Sequence, residues 1–142
     1  MNLSQHFTLE ELTFTDHREL DNTPNDAELK NLVRLAEFLE EVKKVLGGKP
    51  VMINSAFRSK AVNDAVGSKD TSQHRIGCAA DLRIPGMTPD QVFRAVIASN
   101  LQFDQVIREF DRWTHISIPN HEGDKPRKQA LIIDKAGTRA FV

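Results

Sequence analysis

Two histidines and one aspartate have the residue types and the spacing of a metal site. His74 and Asp81 lie seven positions apart in Ser72–Asp81, and His115 follows in Trp113–Ser117. Each of the three lies beside a predicted β-strand. Two imidazoles and one carboxylate form a common zinc site, in which the fourth position is left to water. The pattern therefore indicates metal-assisted hydrolysis.

Asp81 is the most informative of these residues because its surroundings are apolar. The pattern of Cys78–Ile84 predicts a buried strand, in which an unpaired carboxylate is costly. A metal ion would offset that cost, and so would a salt bridge to an arginine. Strand alternation puts His115 and Ser117 on one face. The three residues can meet at one metal if the chain turns at Gly77 and the strand of His115 pairs beside Asp81.

The sequence around the remaining histidines and the cysteine gives no indication of metal binding. His6, His17 and His121 lie in polar, loop-like segments and are predicted to be surface residues. Cys78 is a soft ligand by chemistry, but the strand pattern does not aim it at the same metal, and we predict a small packed residue. The alternative to a metal site is a metal-free domain in which the three polar residues are unrelated.

The composition is that of an ordinary globular protein. The chain has 142 residues, 39% hydrophobic and 27% charged, which suits one domain over residues 1–142. A net charge of −1 gives no electrostatic reason to expect nucleic acid or an anionic membrane as a partner. The N-terminus lacks the basic region and apolar run of a signal peptide, so we expect synthesis in the cytoplasm. No apolar segment has the length of a membrane span.

The order of predicted elements indicates an α+β fold. Residues 1–25 are predicted to form a capping segment with a capping box at Thr8–Glu11. The other predicted elements are a helix at Asp26–Leu46, a strand at Val51–Ser55, a brief helix at Ser59–Val66, a loop at Gly67–Gly77, a strand at Ala79–Ile84, a helix capped by Thr88, and strands at Phe103–Phe110, His115–Ile118 and Gln129–Ile133. A long helix followed by short strands with one helix among them is typical of α+β domains.

The motifs around the predicted ligands resemble those of the zinc D-Ala-D-Ala carboxypeptidases. Ser72–Asp81 matches the Ser-x-His-x(6)-Asp signature of that family, which is related to lysostaphin-type peptidases and to the hedgehog signalling domain. The likeness continues through Asn54–Ser59, Asn63–Gly67, Phe103–Ile107, Trp113–Ser117 and, as in the compact branch often encoded by phages or prophages, His6–Leu12 and Asp21–Pro24. It therefore covers nearly the whole chain.

The resemblance implies a fold and a metal. The expected fold is hedgehog/DD-peptidase-like, with a small, mostly antiparallel sheet flanked by helices and a zinc site on the sheet. The implied ligands of one Zn²⁺ per chain are His74, Asp81 and His115.

The general base is less directly specified. Many family members have an acidic residue three positions before the second histidine, but here that position is Arg112. Glu109, six positions before His115, matches the spacing of hedgehog-like members and is our predicted base. Asp111 is the rival. Both carboxylates can also be interpreted as solvated charges at the end of a strand.

Three further residues are predicted to act on the substrate. Arg58 matches the family arginine near the substrate, where a guanidinium can bind a carbonyl or carboxylate through its paired donors. Alternatively, Arg58 forms a salt bridge to Asp81 or an ion pair at the surface. Ser72 and Gln73 flank His74 and are predicted to contact substrate, although both residue types are also common in turns.

The resemblance also implies a function. We expect a zinc metallopeptidase that hydrolyses peptidoglycan stem peptides, either removing a terminal D-Ala or cutting between L-Ala and D-Glu. We expect a monomer that reaches the cell wall after release from the cytoplasm, as a phage lysis enzyme does, or as part of a virion. The alternative is a non-catalytic zinc-containing binding module of the hedgehog type. Arg112 favours that alternative, and Glu109 argues against it.

Overall fold

The computed structural model describes residues 1–141 and has an α+β architecture, as predicted. The helices are α1 (Leu9–Leu12), α2 (Asp26–Val45), α3 (Lys60–Ala65) and α4 (Pro89–Ala98), and a short 3-10 turn spans Gln73–Ile76. The strands are β1 (Met52–Ser55), β2 (Ala79–Arg83), β3 (Gln105–Glu109), β4 (Trp113–Ser117), β5 (Gln129–Asp134) and β6 (Gly137–Ala140). Within residues 1–141, none of the helices is both long and apolar enough to cross a membrane.

The six strands form one mixed sheet in the order β1-β2-β4-β3-β5-β6. Every neighbouring pair is antiparallel except β3 and β5, which run parallel. β4 returns from β3 and lies between it and β2. This arrangement puts β2 and β4 side by side, although 29 residues separate the end of β2 from the start of β4.

The two faces of the sheet have different roles because side chains alternate along each strand. One face packs against α2 and α4 and holds the buried apolar core. That core includes Leu32, Leu35 and Leu39 of α2, Val92, Phe93 and Val96 of α4, and Ala80, Leu82, Val106, Ile116 and Ile132 of the sheet. Asp81, His115 and Ser117 alternate with these strand residues and therefore lie on the opposite face. That face carries the predicted site.

The helices that cover the core begin at predicted capping signals. Asn25 starts α2 with a capping box to Glu28, and Thr88 starts α4 with a capping box to Gln91. Each box satisfies backbone N–H groups that have no partner within the helix. The predicted box at Thr8–Glu11 is also confirmed.

The structure departs from the prediction at strand ends and at two small elements. β4 begins at Trp113, two residues before the predicted start, and β3 is shorter than predicted at both ends. The predicted loop Gly67–Gly77 contains the 3-10 turn, and β6 was not predicted. All four residues of β6 are exposed, so it has no apolar alternation to reveal it. It forms because its backbone pairs with β5.

Candidate metal centre

The three predicted ligands come from two paired strands and a tight turn. Asp81 on β2 lies directly opposite His115 on β4, and His74 lies in the 3-10 turn that precedes β2. All three are buried, and one potential ligand atom from each lies within 4.8 Å of the other two. The structure therefore brings together the three residues that the sequence predicts as metal ligands.

Gly77 makes the turn that places His74 against Asp81. Its φ of +83° lies in the left-handed region, which glycine enters without strain. A Cβ at this position would lie 3.0 Å from the backbone oxygen of Glu28 and 3.1 Å from Leu32 Cγ on α2. The turn thus requires glycine both for its backbone angles and for its close approach to α2.

A backbone carbonyl fixes where the hydrogen sits on the ring of His74. Nδ1 lies 2.6 Å from the carbonyl oxygen of Ala56, and a carbonyl oxygen can only accept, so Nδ1 carries the hydrogen. In the neutral ring Nε2 then presents a lone pair, and it lies 3.2 Å from Asp81 Oδ1. Two acceptors face each other in a buried site. A cation between them would turn this repulsion into attraction.

The charge states of the two residues favour a bound cation. Burial lowers the pKa of His74, although the charge of Asp81 opposes this effect, so the imidazole tends to be neutral. Burial alone would raise the pKa of Asp81, but the positive charge that His74 carries when protonated and the hydrogen bond from His115 hold it well below its usual range. The carboxylate is therefore ionised. A neutral imidazole and an ionised carboxylate are the forms that coordinate metal ions.

The spacing and chemistry of the donor atoms fit zinc. His74 Nε2 and His115 Nδ1 lie 3.2 and 2.9 Å from the same oxygen, Asp81 Oδ1. Ligands about 2.0–2.1 Å from a tetrahedral zinc ion are separated by roughly 3.3 Å. The carbonyl bond of His74 is also a common outer contact of metal-bound histidines, because it orients the ring and fixes its tautomer.

Arg58 contacts the other oxygen of Asp81. Its Nη2 lies 3.4 Å from Asp81 Oδ2, and its Nε donates to Ser55 Oγ at 3.2 Å. Its backbone N–H donates to the carbonyl of His74. The structure thus contains the Arg58–Asp81 salt bridge that the sequence offered as an alternative to a metal, and it leaves Asp81 Oδ1 directed at both histidines.

Glu109 and Asp111, the two candidate bases, lie in different surroundings. Glu109 pairs with Trp113 across β3 and β4, on the face that carries His115. Burial raises the pKa of Glu109, and the negative charge of Asp81 adds to the effect. Asp111 lies in the turn after β3, where its side chain is 70% exposed and pairs with Arg108. Glu109 therefore lies close enough to the cluster for the charge of Asp81 to affect its pKa.

With this geometry in place, the sequence profile of the Peptidase M15 family matches residues 5–117. The chain belongs to the Peptidase M15 family. M15 peptidases are zinc-dependent, and His74, Asp81 and His115 all lie inside the matched segment as the cluster that could bind the ion. A search of curated proteins finds no significant match to this chain.

Ser72 and Gln73 hold the ligand turn of this M15 peptidase. Ser72 Oγ accepts from the backbone N–H of His74, and the side-chain nitrogen of Gln73 donates to Asp104, Asn120 and the carbonyl of Ile118. The side-chain oxygen of Gln73 is buried and has no hydrogen-bond partner among residues 1–141. Both residues also line a cavity beside the cluster. Their predicted contact with substrate stays a prediction.

The other potential ligands lie away from the cluster. Cys78 is fully buried in the core, as predicted, and burial raises the pKa of its thiol to about 11, so the thiolate form is disfavoured. His6 binds Glu40 on α2, and His121 is exposed in the segment between β4 and β5. His17 is partly exposed, but it also lines the cavity beside Arg58. Sequence analysis missed that position.

Two cavities lie beside the three candidate ligands of this M15 peptidase, His74, Asp81 and His115. The Arg58 cavity has a volume of about 240 Å³ and is lined by Arg58, Asp81 and Trp113 together with residues 14–17 of the N-terminal segment. The Lys69 cavity has a volume of about 460 Å³ and is lined by Lys69, His115 and Arg127 among others. Asp81 lines the first cavity and His115 lines the second, so a substrate that occupied both cavities would contact the cluster.

Proposed function

We propose that this chain is a zinc peptidase of hedgehog-like fold that hydrolyses peptide bonds in peptidoglycan stem peptides. The observation that carries the proposal is the lone pair of His74 facing the ionised Asp81 beside His115, an arrangement completed by a cation. Membership of the M15 family supports a peptidase, and the two flanking cavities support an extended substrate. The bond cut is a terminal D-Ala bond or the L-Ala–D-Glu bond.

The proposed chemistry assigns a role to each polar group around the cluster. His74, Asp81 and His115 would hold the ion, which supplies Lewis acidity toward the scissile carbonyl and acidifies water. Glu109 accepts the proton of the attacking water and returns it to the leaving amine. Its partly buried position beside the cluster suits this double role, because burial disfavours the ionised form and so favours uptake of a proton.

Arg58 is the proposed electrophile in this chemistry. Its side chain lines the cavity beside the cluster, and its contact with Asp81 is a long 3.4 Å, so donor groups remain for a substrate oxygen. A guanidinium in a largely buried site stabilises a developing oxyanion more strongly than it would in water. Arg58 thus has two tasks, orienting the ligand carboxylate and binding the oxygen that gains charge.

The test is hydrolysis of purified peptidoglycan by the zinc-loaded protein, with mass spectrometry of the products. Muropeptides shortened by one alanine, or split after L-Ala, would establish the activity and identify the bond. Glu109→Ala should lower the rate by about 10²–10⁴-fold and retain zinc. Asp111→Ala is the matched control and should change the rate little, because Asp111 is exposed and paired with Arg108.

One observation favours a second function, a zinc-containing binding module without turnover. The position three before His115, which is acidic in many relatives of the resembled family, is the exposed Arg112. If the wild-type protein binds zinc stoichiometrically and leaves the wall intact, the binding module replaces the peptidase as the proposed function.

A further inference from the structure

The Lys69 cavity has the chemistry of a carboxylate site. It is lined by the cations Lys69 and Arg127, by the hydroxyl residues Ser68, Thr71 and Ser72, and by His115 of the metal cluster. None of its lining residues, all of which the structure describes, is acidic. The cavity therefore offers positive charge and hydroxyl donors immediately beside the metal site.

Lys69 is the cation whose charge is left unbalanced. None of the ion pairs formed among residues 1–141 includes its ammonium group, whereas Lys60 nearby pairs with both Asp64 and Asp70. Its backbone is nevertheless held in place. The carbonyl of Lys69 accepts from the side chain of Asn63, which is fully buried, at 2.9 Å and from the N–H of Ser72 at 3.0 Å. A loop anchored through its backbone thus places Lys69, an exposed residue without an ion pair among residues 1–141, at the lining of the cavity.

Arg127 has a different role in the same cavity. Its guanidinium donates to Asp104 Oδ2 at 3.0 and 2.6 Å, and its backbone N–H donates to Asp104 Oδ1 at 3.0 Å. Asp104 is only 4% exposed, and the charges of the pair offset each other. Arg127 shapes the cavity, and Lys69 supplies its net positive charge.

The chemistry of stem peptides provides a matching anion for either proposed bond. D-Glu is joined to the next residue through its γ-carboxyl group, so its α-carboxylate is free, and a terminal D-Ala also has a free α-carboxylate. In both cleavages the D-residue whose amine leaves therefore carries a carboxylate one carbon from the scissile nitrogen. We propose that Lys69 is a specificity-determining residue that binds this carboxylate, an inference that rests on the proposed peptidase function.

The test compares two pairs of synthetic peptides that differ only at this carboxylate. One pair is acetyl-L-Lys-D-Ala-D-Ala and its C-terminal amide, and the other is an L-Ala–γ-D-Glu peptide and its D-isoglutamine analogue. The wild-type enzyme should prefer the free acid of whichever pair it cleaves. Lys69→Met should raise KM for that acid about tenfold, leave kcat nearly unchanged and abolish the preference over the amide. Lys69→Arg should keep the preference.

A binding measurement and a matched variant complete the design. Quenching of Trp113, the single tryptophan, reports peptide binding to the inactive Glu109→Gln protein and should show the same preference for the acid. Lys44→Met removes an exposed lysine on α2 and should behave as wild type. Equal use of acid and amide by the wild type, or an unchanged preference in Lys69→Met, would overturn this inference and leave the peptidase intact. Failure of the wild type to bind or cleave any of the peptides would overturn both proposals.

Discussion

The position of the ring hydrogen of His74 decides which of its nitrogens can bind a metal ion. The carbonyl of Ala56 holds this hydrogen on Nδ1 of His74, so Nε2 faces Asp81 with a lone pair. The same carboxylate contacts His115 through Oδ1 and Arg58 through Oδ2. Because the three groups are buried, neither the His74 ring nor the carboxylate can turn to water, and they remain directed at one another. The three residues that could bind a metal ion therefore also fix one another's orientation.

Asp81→Asn tests this account of the ligand set. The substitution nearly preserves the shape of the side chain and removes its charge, and we expect zinc affinity to fall by more than about 100-fold. Isothermal titration calorimetry and the metal content of the purified protein measure the change. His121→Ala, which removes an exposed histidine, should bind one zinc ion as wild type does. Wild-type affinity in Asp81→Asn would contradict the proposed ligands.

The pKa of Glu109 provides a second test at this scale. Burial and the charge of Asp81 both disfavour the ionised form, so its pKa in the metal-free protein should lie above the usual 4.5. Asp81→Asn removes the repulsion and should lower the pKa, and zinc, by adding positive charge nearby, should also lower it. Carbon-13 NMR titration of the carboxyl group measures all three states. A pKa at or below 4.5 in the metal-free wild type would be inconsistent with the structure.

At the scale of elements, the site depends on a turn that is wedged against a helix. The 3-10 turn carries His74, and Gly77 ends it in the left-handed region beside α2. The capping box at Asn25 fixes where α2 begins, and so fixes the surface against which the turn packs. Positions on α2 that never approach the metal thereby influence the geometry of its ligands.

Gly77→Ala should disturb both stability and metal binding. The new Cβ meets the Glu28 carbonyl and Leu32, and the left-handed backbone adds strain, so we expect a loss of about 2–4 kcal/mol in the free energy of unfolding. Gly86→Ala is a matched control, because Gly86 has φ +85° but no atom within 4 Å of the added Cβ. It should cost only about 1–2 kcal/mol. Urea unfolding measures both variants, and equal losses would show that packing against α2 is unimportant.

At the scale of the whole molecule, the core and the site occupy opposite faces of one sheet. The apolar residues pack against α2 and α4, whereas the metal cluster and both cavities lie on the other face. The fold is therefore held by a core that contains none of the ligands. A metal ion held by His74, Asp81 and His115 would add stability by linking the 3-10 turn, β2 and β4.

Zinc removal should therefore lower the stability of the protein without unfolding it. With free zinc at about a thousand times its Kd, binding adds about 4 kcal/mol, which corresponds to a Tm increase of roughly 10 °C. A chelator should reverse the increase and leave the far-ultraviolet circular dichroism of the native state nearly unchanged at 25 °C. Asp81→Asn should show a much smaller zinc-dependent increase in Tm, because a 100-fold loss of affinity leaves only about 1.4 kcal/mol of stabilisation at the same zinc concentration. Complete unfolding by the chelator would mean that the apolar core packed against α2 and α4 cannot keep the protein folded without zinc.

The sequence by itself determined the local parts of this protein. Apolar spacing and capping residues predict α2 and α4, and the alternation around Asp81 predicts β2, because these signals act over a few residues. The turn at Gly77 is local as well, so the approach of His74 to Asp81 could be predicted. The resemblance to a peptidase family extended this local information to His115.

Only the tertiary structure decided which distant segments meet. The pairing of β2 with β4 sets His115 opposite Asp81, and residues 14–17 and Lys69 reach the two cavities from segments with no distinguishing pattern. The exposed strand β6 likewise exists because β5 offers it a partner. Such contacts depend on the packing of the whole sheet against α2 and α4, and the free energy of that packing is not contained in any single stretch of the chain.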